Sequence, residues 1–240
     1  SMYLMGLDVG TTGCKAIIYD DEGRQLGYAY REYGIETDEY GKAEQDAELV
    51  WNLTKETMKE SIHHAGTDSV KGISVSVQGD AVIPVSSNGK AIGKAMLGMD
   101  YRPKEESAEA EKLLGAQNLF TETGMRPHPL NSLIKIMYLK KKNHNMYIKS
   151  YKIVTYQDYI LKKLGADWVI DYSMASRTMA FDLKKREWSS HILETVEIDR
   201  NKLSLPVKSG KEVGKLSEGL KEYLGLRGTC FLVTGGHDQP

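Results

Sequence analysis

Fourteen residues near the start, LDVGTTGCKAIIYD (Leu7–Asp20), narrow the possible folds more than any other stretch. An aspartate interrupts the end of one apolar run, Gly-Thr-Thr-Gly follows, and a second apolar run starts at once. Two runs of strand length with glycine punctuation between them read as strand, tight turn, strand. Because a strand follows the loop, the segment is not a dinucleotide-binding fingerprint, which needs a helix there. The Walker A spacing Gly-x-x-x-x-Gly-Lys-Ser/Thr is also absent. A third run, QLGYAYREY, alternates after the turn DDEG, so the chain opens as an antiparallel meander.

The pattern then changes. From Asp46 to His64, Ala47, Val50, Trp51, Thr54, Met58 and Ile62 recur at helical spacing, and Gly66 is placed to stop the helix. VKGISVSVQG and AVIPVSS read as strands, with SNGK as a turn. Helical stretches follow near 104–116 and 131–143, and YKIVTYQDYILKKLG reads as strand then helix. DWVIDY and TMAFDL are short strands, LSEGLKEYLGL is a helix, and GTCFLVTGG is a final strand. Strands and helices alternate after the meander, which implies an α/β fold with a mixed sheet flanked by helices. Trp51 belongs to the core, and Lys140–Lys142 to a solvated helix end.

With 240 residues, 40% of them hydrophobic, the chain can bury a full core, and its net charge of -1 gives no electrostatic case for nucleic acid or a membrane surface. No apolar run reaches the roughly 18 residues of a membrane span, and the first residues lack a signal-peptide pattern. Cys14 and Cys230 each sit in an apolar run, as expected of reduced core thiols in a cytoplasmic protein. Six scattered histidines make no zinc-binding spacing.

Two segments carry chemistry. Around Gly10-Thr11-Thr12-Gly13, backbone amides and two hydroxyls can gather into an anion-binding nest. Asp8 beside it would repel a bare phosphate and is better suited to holding Mg²⁺, through water, against phosphate oxygens. A plain hairpin with threonines in its turn stays open on this motif alone. At the other end, VTGGHDQP sets Asp238 after a strand, where a carboxylate can accept a proton from an attacking hydroxyl. An Asx-turn or helix cap is the alternative there.

The order of these pieces resembles the N-terminal half of the FGGY carbohydrate kinases, the family of xylulokinase, gluconokinase and glycerol kinase. The resemblance is carried by GLDVGTTGCKAIIYDDEG, GKAEQDAELVW, KGISVSVQGDAVIPVSSNG, AMLGMDYRPKEE, YQDYILKKLGADWVIDYSMASRTMAFDLKKREWS and GGHDQP. It implies a ribonuclease H-like domain of the actin, hexokinase and Hsp70 ATPase type. It also implies that residues 1–240 are an N-terminal sugar-binding domain lacking the C-terminal nucleotide-binding domain. ATP and Mg²⁺ are the implied cofactors, and a sugar, ATP and a homodimer the expected partners. Asp8 is implied to organise Mg²⁺, with Gly10, Thr11, Thr12 and Gly13 at the transferred phosphoryl group. Asp238 is the implied general base, with Gln239 beside it. Gln78, Gly79 and Asp100 are implied to line the sugar pocket, with Arg102 contacting the pocket or bracing Asp100. Lys15 is a surface strand lysine or a further site residue.

Xylulokinases carry Met-His-Gly where this chain is expected to present Val77-Gln78-Gly79, and glycerol kinases an Arg-Glu pair in the same neighbourhood. Glycerol is thereby disfavoured, and an open-chain ketose or related polyol is the expected substrate. A non-enzymatic sugar-binding module would need neither phosphate loop nor base. An actin- or Hsp70-like ATPase would need no sugar pocket.

Overall fold

The computed structural model describes residues 2–235. Its centre is a six-stranded mixed sheet built from β1 (Leu4–Val9), β2 (Gly13–Tyr19), β3 (Gln25–Glu32), β4 (Gly72–Val77), β5 (Glu212–Lys215) and β6 (Phe231–Thr234), in the order β5-β6-β4-β1-β2-β3. β1, β2 and β3 form the expected meander, while β4 pairs in parallel with both β1 and β6. Strand side chains alternate between faces. Met5, Leu7 and Val9 of β1, with Cys14, Ala16 and Ile18 of β2, are buried on one face. Helix α1 (Ala47–Ala65) shares that core through Val50, Met58 and Ile62.

The limits of α1 follow from local chemistry. The Asp46 side chain accepts the Leu49 N–H at one end, and Gly66 adopts the left-handed conformation (φ 67°) at the other. Trp51 is buried, as expected. Both cysteines are buried and free. Lys140–Lys142 form the last turn of helix α2 (Ser132–Lys142). Among the described residues no helix is long and apolar enough to cross a membrane.

A second apolar cluster, including Val82, Leu133, Ile136, Ile170, Phe181 and Trp188, stands beside the sheet core. Helix α2 belongs to it. Helix α3 (Tyr156–Leu164) starts from a Thr155–Asp158 capping box and contributes Tyr156 and Tyr159 to the sheet core.

VKGISVSVQG and AVIPVSS do not form a hairpin with each other. Both edges of β4 are already occupied by parallel partners, and Asp80 takes a left-handed conformation (φ 67°) that turns the chain out of the sheet. Ile83–Val85 pairs instead with Lys152–Val154. The SNGK turn does form, closed by Gly89 N–H donating to the Ser86 carbonyl at 3.0 Å.

Candidate active site

The Gly10–Gly13 turn is organised by what happens to its carbonyls. Gly10 N–H closes the turn on the Gly13 carbonyl at 2.9 Å. Tyr33 Oη and Gln78 Nε2 donate to the Gly10 carbonyl at 2.6 and 3.1 Å. Gln45 Nε2 donates to the Thr11 carbonyl at 2.9 Å, and Tyr33 N–H to the Thr12 carbonyl at 3.0 Å. Gln45 is itself fixed, since its Oε1 accepts from Tyr156 Oη at 2.8 Å and Gln78 Nε2 at 3.2 Å. Burial pushes the Tyr33 and Tyr156 phenols above their usual range, so both stay protonated donors.

With three successive carbonyls bonded inward, the Thr11 and Thr12 amides and hydroxyls have no acceptor among the described residues. That leaves a small concentration of donors at the end of β1, suited to an anion. Gly13 is required by a close approach: a Cβ there would lie 2.5 Å from Tyr30 Oη and 2.8 Å from the Arg31 carbonyl. Neither Gly10 nor Gly13 has a positive φ, so conformational freedom is not what this turn needs from them.

Asp8 is half-buried on the other face of the sheet from Leu7 and Val9. Strand register sets it between Lys15 on β2 and Ser76 on β4. Lys15 is exposed. Among the described residues there is no group of three or more His, Cys, Asp or Glu able to hold a metal ion. A single half-buried carboxylate does fit the way Mg²⁺ is held in phosphate sites, through one or two carboxylates with waters and phosphate oxygens.

A cleft of about 370 Å³ adjoins the turn. Thr11, Gln78, Gly79 and Asp80 form one wall, and residues of Leu97–Tyr101, His128 and Leu130 the other. Asp80 had no expected role, yet among the described residues it is the only carboxylate lining this cleft. It is 4% exposed; Oδ2 accepts from Arg177 Nη2 at 2.7 Å, and Oδ1 is buried with no hydrogen-bond partner among the described residues. The Arg177 guanidinium packs directly over Gly79, where a Cβ would lie 2.6 Å from its central carbon.

Asp100 sits differently from the sequence expectation, and Arg102 takes the bracing role of its two expected ones. Neither lines the cleft. Asp100 is fully buried, and its carboxylate accepts from Ala43 N–H (2.9 Å), Arg102 N–H (3.0 Å), Arg102 Nε (3.1 Å to each oxygen) and Arg102 Nη2 (2.7 Å). Arg102 Nη2 also reaches Glu44 at 2.7 Å. Asp100 therefore braces the loop that carries Met99 and Tyr101, and every polar bond it makes is internal.

Lys135 does similar work from behind the wall. Its side chain is buried, and Nζ donates to the carbonyls of Gly98 (3.3 Å), Pro129 (2.9 Å) and Leu130 (2.5 Å). Burial pushes the ammonium down to about 8, opposed by the charges of Asp80 and Asp100. Asp238 and Gln239 lie outside the described residues. Of the expected sugar-pocket residues, Gln78 and Gly79 reach the cleft. Gln45, Tyr33, Asp80, Arg177 and Lys135 were missed, although Gln45, Asp80 and Arg177 lie inside segments that carried the family resemblance.

Residues 3–240 match the family model for the FGGY family of carbohydrate kinases, N-terminal domain, and the chain belongs to that family. It is 28% identical over 234 residues to the xylulose kinase of Staphylococcus xylosus, covering 98% of this chain and 48% of that protein. It is 25% identical over 236 residues to the gluconokinase of Bacillus subtilis, covering 98% of this chain and 46% of that protein. The ligand-bound xylulose kinase of Lactobacillus acidophilus superposes with a TM-score of 0.90 at 24% identity, covering 99% of this chain and 49% of that one. The fold is thus the actin- and hexokinase-like fold of these kinases, and the chain spans about half the length of the relatives it matches.

Proposed function

We propose that this chain is the sugar-binding part of an ATP-dependent carbohydrate kinase that phosphorylates a hydroxyl of an open-chain ketose or related polyol. One observation carries the reading. The Gly10–Gly13 turn has its carbonyls bonded inward and, among the described residues, its Thr11 and Thr12 donors free, and Thr11 also lines a cleft with Gln78, Gly79 and Asp80. An anion site and a hydroxyl-binding cleft that share a residue suit phosphoryl transfer to an alcohol.

In this reading the Thr11 and Thr12 amides and hydroxyls hold the transferred phosphoryl oxygens as negative charge builds on them. Asp8 would hold Mg²⁺, and the ion would supply neutralisation of phosphate charge. Gln78, Gly79 and Asp80 form the wall on which the substrate is oriented, because a sugar presents both donors and acceptors. Asp238 takes the proton of the attacking hydroxyl as its oxygen bonds to the γ-phosphorus and the bond to the ADP oxygen breaks. Gln239 neighbours that base. Asp100 and Arg102 act on the pocket through the loop they brace.

The test is ATP consumption by the complete polypeptide with a panel of ketoses, aldoses and polyols. Sugar-dependent ADP release is expected. Sugar-independent release would make the protein an ATPase, and none a binder. In the complete polypeptide, Asp238→Asn should lower kcat by orders of magnitude with sugar affinity nearly intact. Retained turnover would remove Asp238 from the mechanism.

A further inference from the structure

Among the described residues Lys135 is the only buried lysine or arginine, and its hydrogen-bond partners are all carbonyls. They belong to two segments distant in sequence: Gly98 in one, Pro129 and Leu130 in the other. Gly98 and Leu130 both line the cleft. Gly98 is also where the two walls meet. A Cβ on it would lie 3.1 Å from the Gly79 carbonyl, 3.4 Å from Asp80 Cβ and 3.5 Å from Leu130 Cδ1. Helix α2 carries Lys135 and is itself anchored, since its Leu133 and Ile136 belong to the second apolar cluster. The ammonium thus holds the far wall at the point that sets its distance from Gly79 and Asp80.

We propose that Lys135 is a positioning residue for the substrate: by tying Gly98 to Leu130 it fixes the width of the cleft, and the hold needs all three Nζ hydrogens. The inference rests on the cleft being the sugar subsite. An ammonium has three donors and no acceptor, which matches three carbonyls one to one. A neutral amine has two hydrogens and a lone pair, so one carbonyl loses its bond and faces that lone pair. A buried carbonyl without a donor is costly, and the segment that carries it shifts to find another. Hydrogen bonds tolerate only a narrow range of length, so a small displacement of the wall weakens the grip on a sugar.

The surroundings of Lys135 give the device a pH dependence. Burial lowers the ammonium to about 8, while the charges of Asp80 and Asp100 act to retain it. Asp80 follows β4 and is bound by Arg177, and Asp100 follows Met99 and is bound by Arg102. His128 stands beside the Pro129 and Leu130 acceptors, its Nδ1 accepting the Leu130 N–H at 3.0 Å. Tyr138, on α2 itself, faces Arg102. Because the ammonium is the form that holds the wall, sugar binding weakens as pH rises through the Lys135 transition.

The experiment titrates the complete polypeptide with D-xylulose and with xylitol across the alkaline range, following the Leu130 and Met99 methyl signals by NMR. The ¹³Cε signal of Lys135, assigned by its loss in Lys135→Arg, reports the protonation of the lysine itself. The Kd should rise in step with that signal, by about tenfold between pH 7 and pH 9 for a transition near 8. Lys135→Arg stays charged and should bind with a flat pH profile. Lys135→Met should bind about tenfold or more weakly at neutral pH, also without pH dependence. It should raise the KM for sugar and leave the KM for ATP unchanged. A lysine that serves folding alone would leave the wild-type affinity flat across its own titration. A flat affinity while the Lys135 signal moves, or Lys135→Met binding as tightly as wild type, overturns the inference and leaves the sugar subsite standing. If neither compound shifts the Leu130 and Met99 methyls at neutral pH, the subsite reading and this inference both fall.

Discussion

Replacing Arg102 with methionine tests how the cleft wall is held. The guanidinium makes three contacts to Asp100, a residue with no solvent exposure, and one to Glu44. In Arg102→Met the Asp100 carboxylate stays buried and keeps only two backbone donors, the N–H groups of residues 43 and 102. Breaking a buried ion pair by removing one partner costs about 3–5 kcal/mol. The surviving amides place this case near the lower end, about 3 kcal/mol. Glu44 is 23% exposed and contributes about 1 kcal/mol or less. In a domain of this size each kcal/mol moves Tm by about 2–4 °C, so a fall of about 6–12 °C is expected. Urea unfolding supplies the free energies. Asp100→Asn should be destabilising alone, and the double variant should cost clearly less than the sum, since it removes both halves of one interaction. Arg102→Met within about 0.5 kcal/mol of wild type, or strict additivity, would refute the reasoning.

Two further substitutions probe packing and pH. At Gly27 a Cβ would lie 2.2 Å from the Ser61 carbonyl and 3.0 Å from Ala65 Cβ, so Gly27→Ala should push β3 off α1 and cost about 1–3 kcal/mol; an unchanged thermal midpoint would contradict that packing. Burial raises the Asp158 carboxyl from 3.8 to about 6, against hydrogen bonds from Ser204 and Thr155 that favour the charged form. Between those two values the folded chain holds more protons than the unfolded one, so this group makes stability fall as pH rises, by about 3 kcal/mol in all. Asp158→Asn should flatten that slope, and urea midpoints from pH 4 to 7 with the same slope in both proteins would show that Asp158 is not its source.

Local rules carried the sequence reading as far as local chemistry acts. The meander, α1 with its Asp46 cap and Gly66 stop, and the strand-then-helix at 152–164 are all fixed by periodicity and nearby capping residues. Contacts between distant residues were not legible. Tyr156 and Gln45 stand 111 positions apart, and Arg177 and Asp80 97 apart, yet those pairs shape the turn and the cleft. Asp100 shows the opposite difficulty. An aspartate after a short strand looks the same in sequence whether it faces a ligand or an internal arginine, and only the burial of both its oxygens tells them apart. Glu212–Lys215 offered no strand signal of its own, with Gly214 in its middle. It is a strand because β6 presents an edge for it to pair with.

Strand register explains why the turn and the cleft are neighbours at all. β1 and β4 run parallel with Val9 opposite Val77, so the two strands end level and the chain leaves both at the same edge of the sheet. Gln78 then has no choice of environment. Its N–H completes the ladder on the Val9 carbonyl at 2.8 Å, and its amide reaches the Gly10 carbonyl at 3.1 Å. One residue further, Gly79 admits the Arg177 guanidinium, and Asp80 turns left-handed into the cleft. Ligands of open α/β sheets gather beyond the carboxyl ends of parallel strands for this reason: that edge is where loops from different strands are forced together while the strands behind them stay rigid. A slip of one residue between β1 and β4 would put Leu7 and Val75 on opposite faces of the sheet and part Gln78 from Gly10. The buried, apolar alternation of Met5, Leu7, Val9, Ile73 and Val75 therefore fixes the geometry of the site as well as the core.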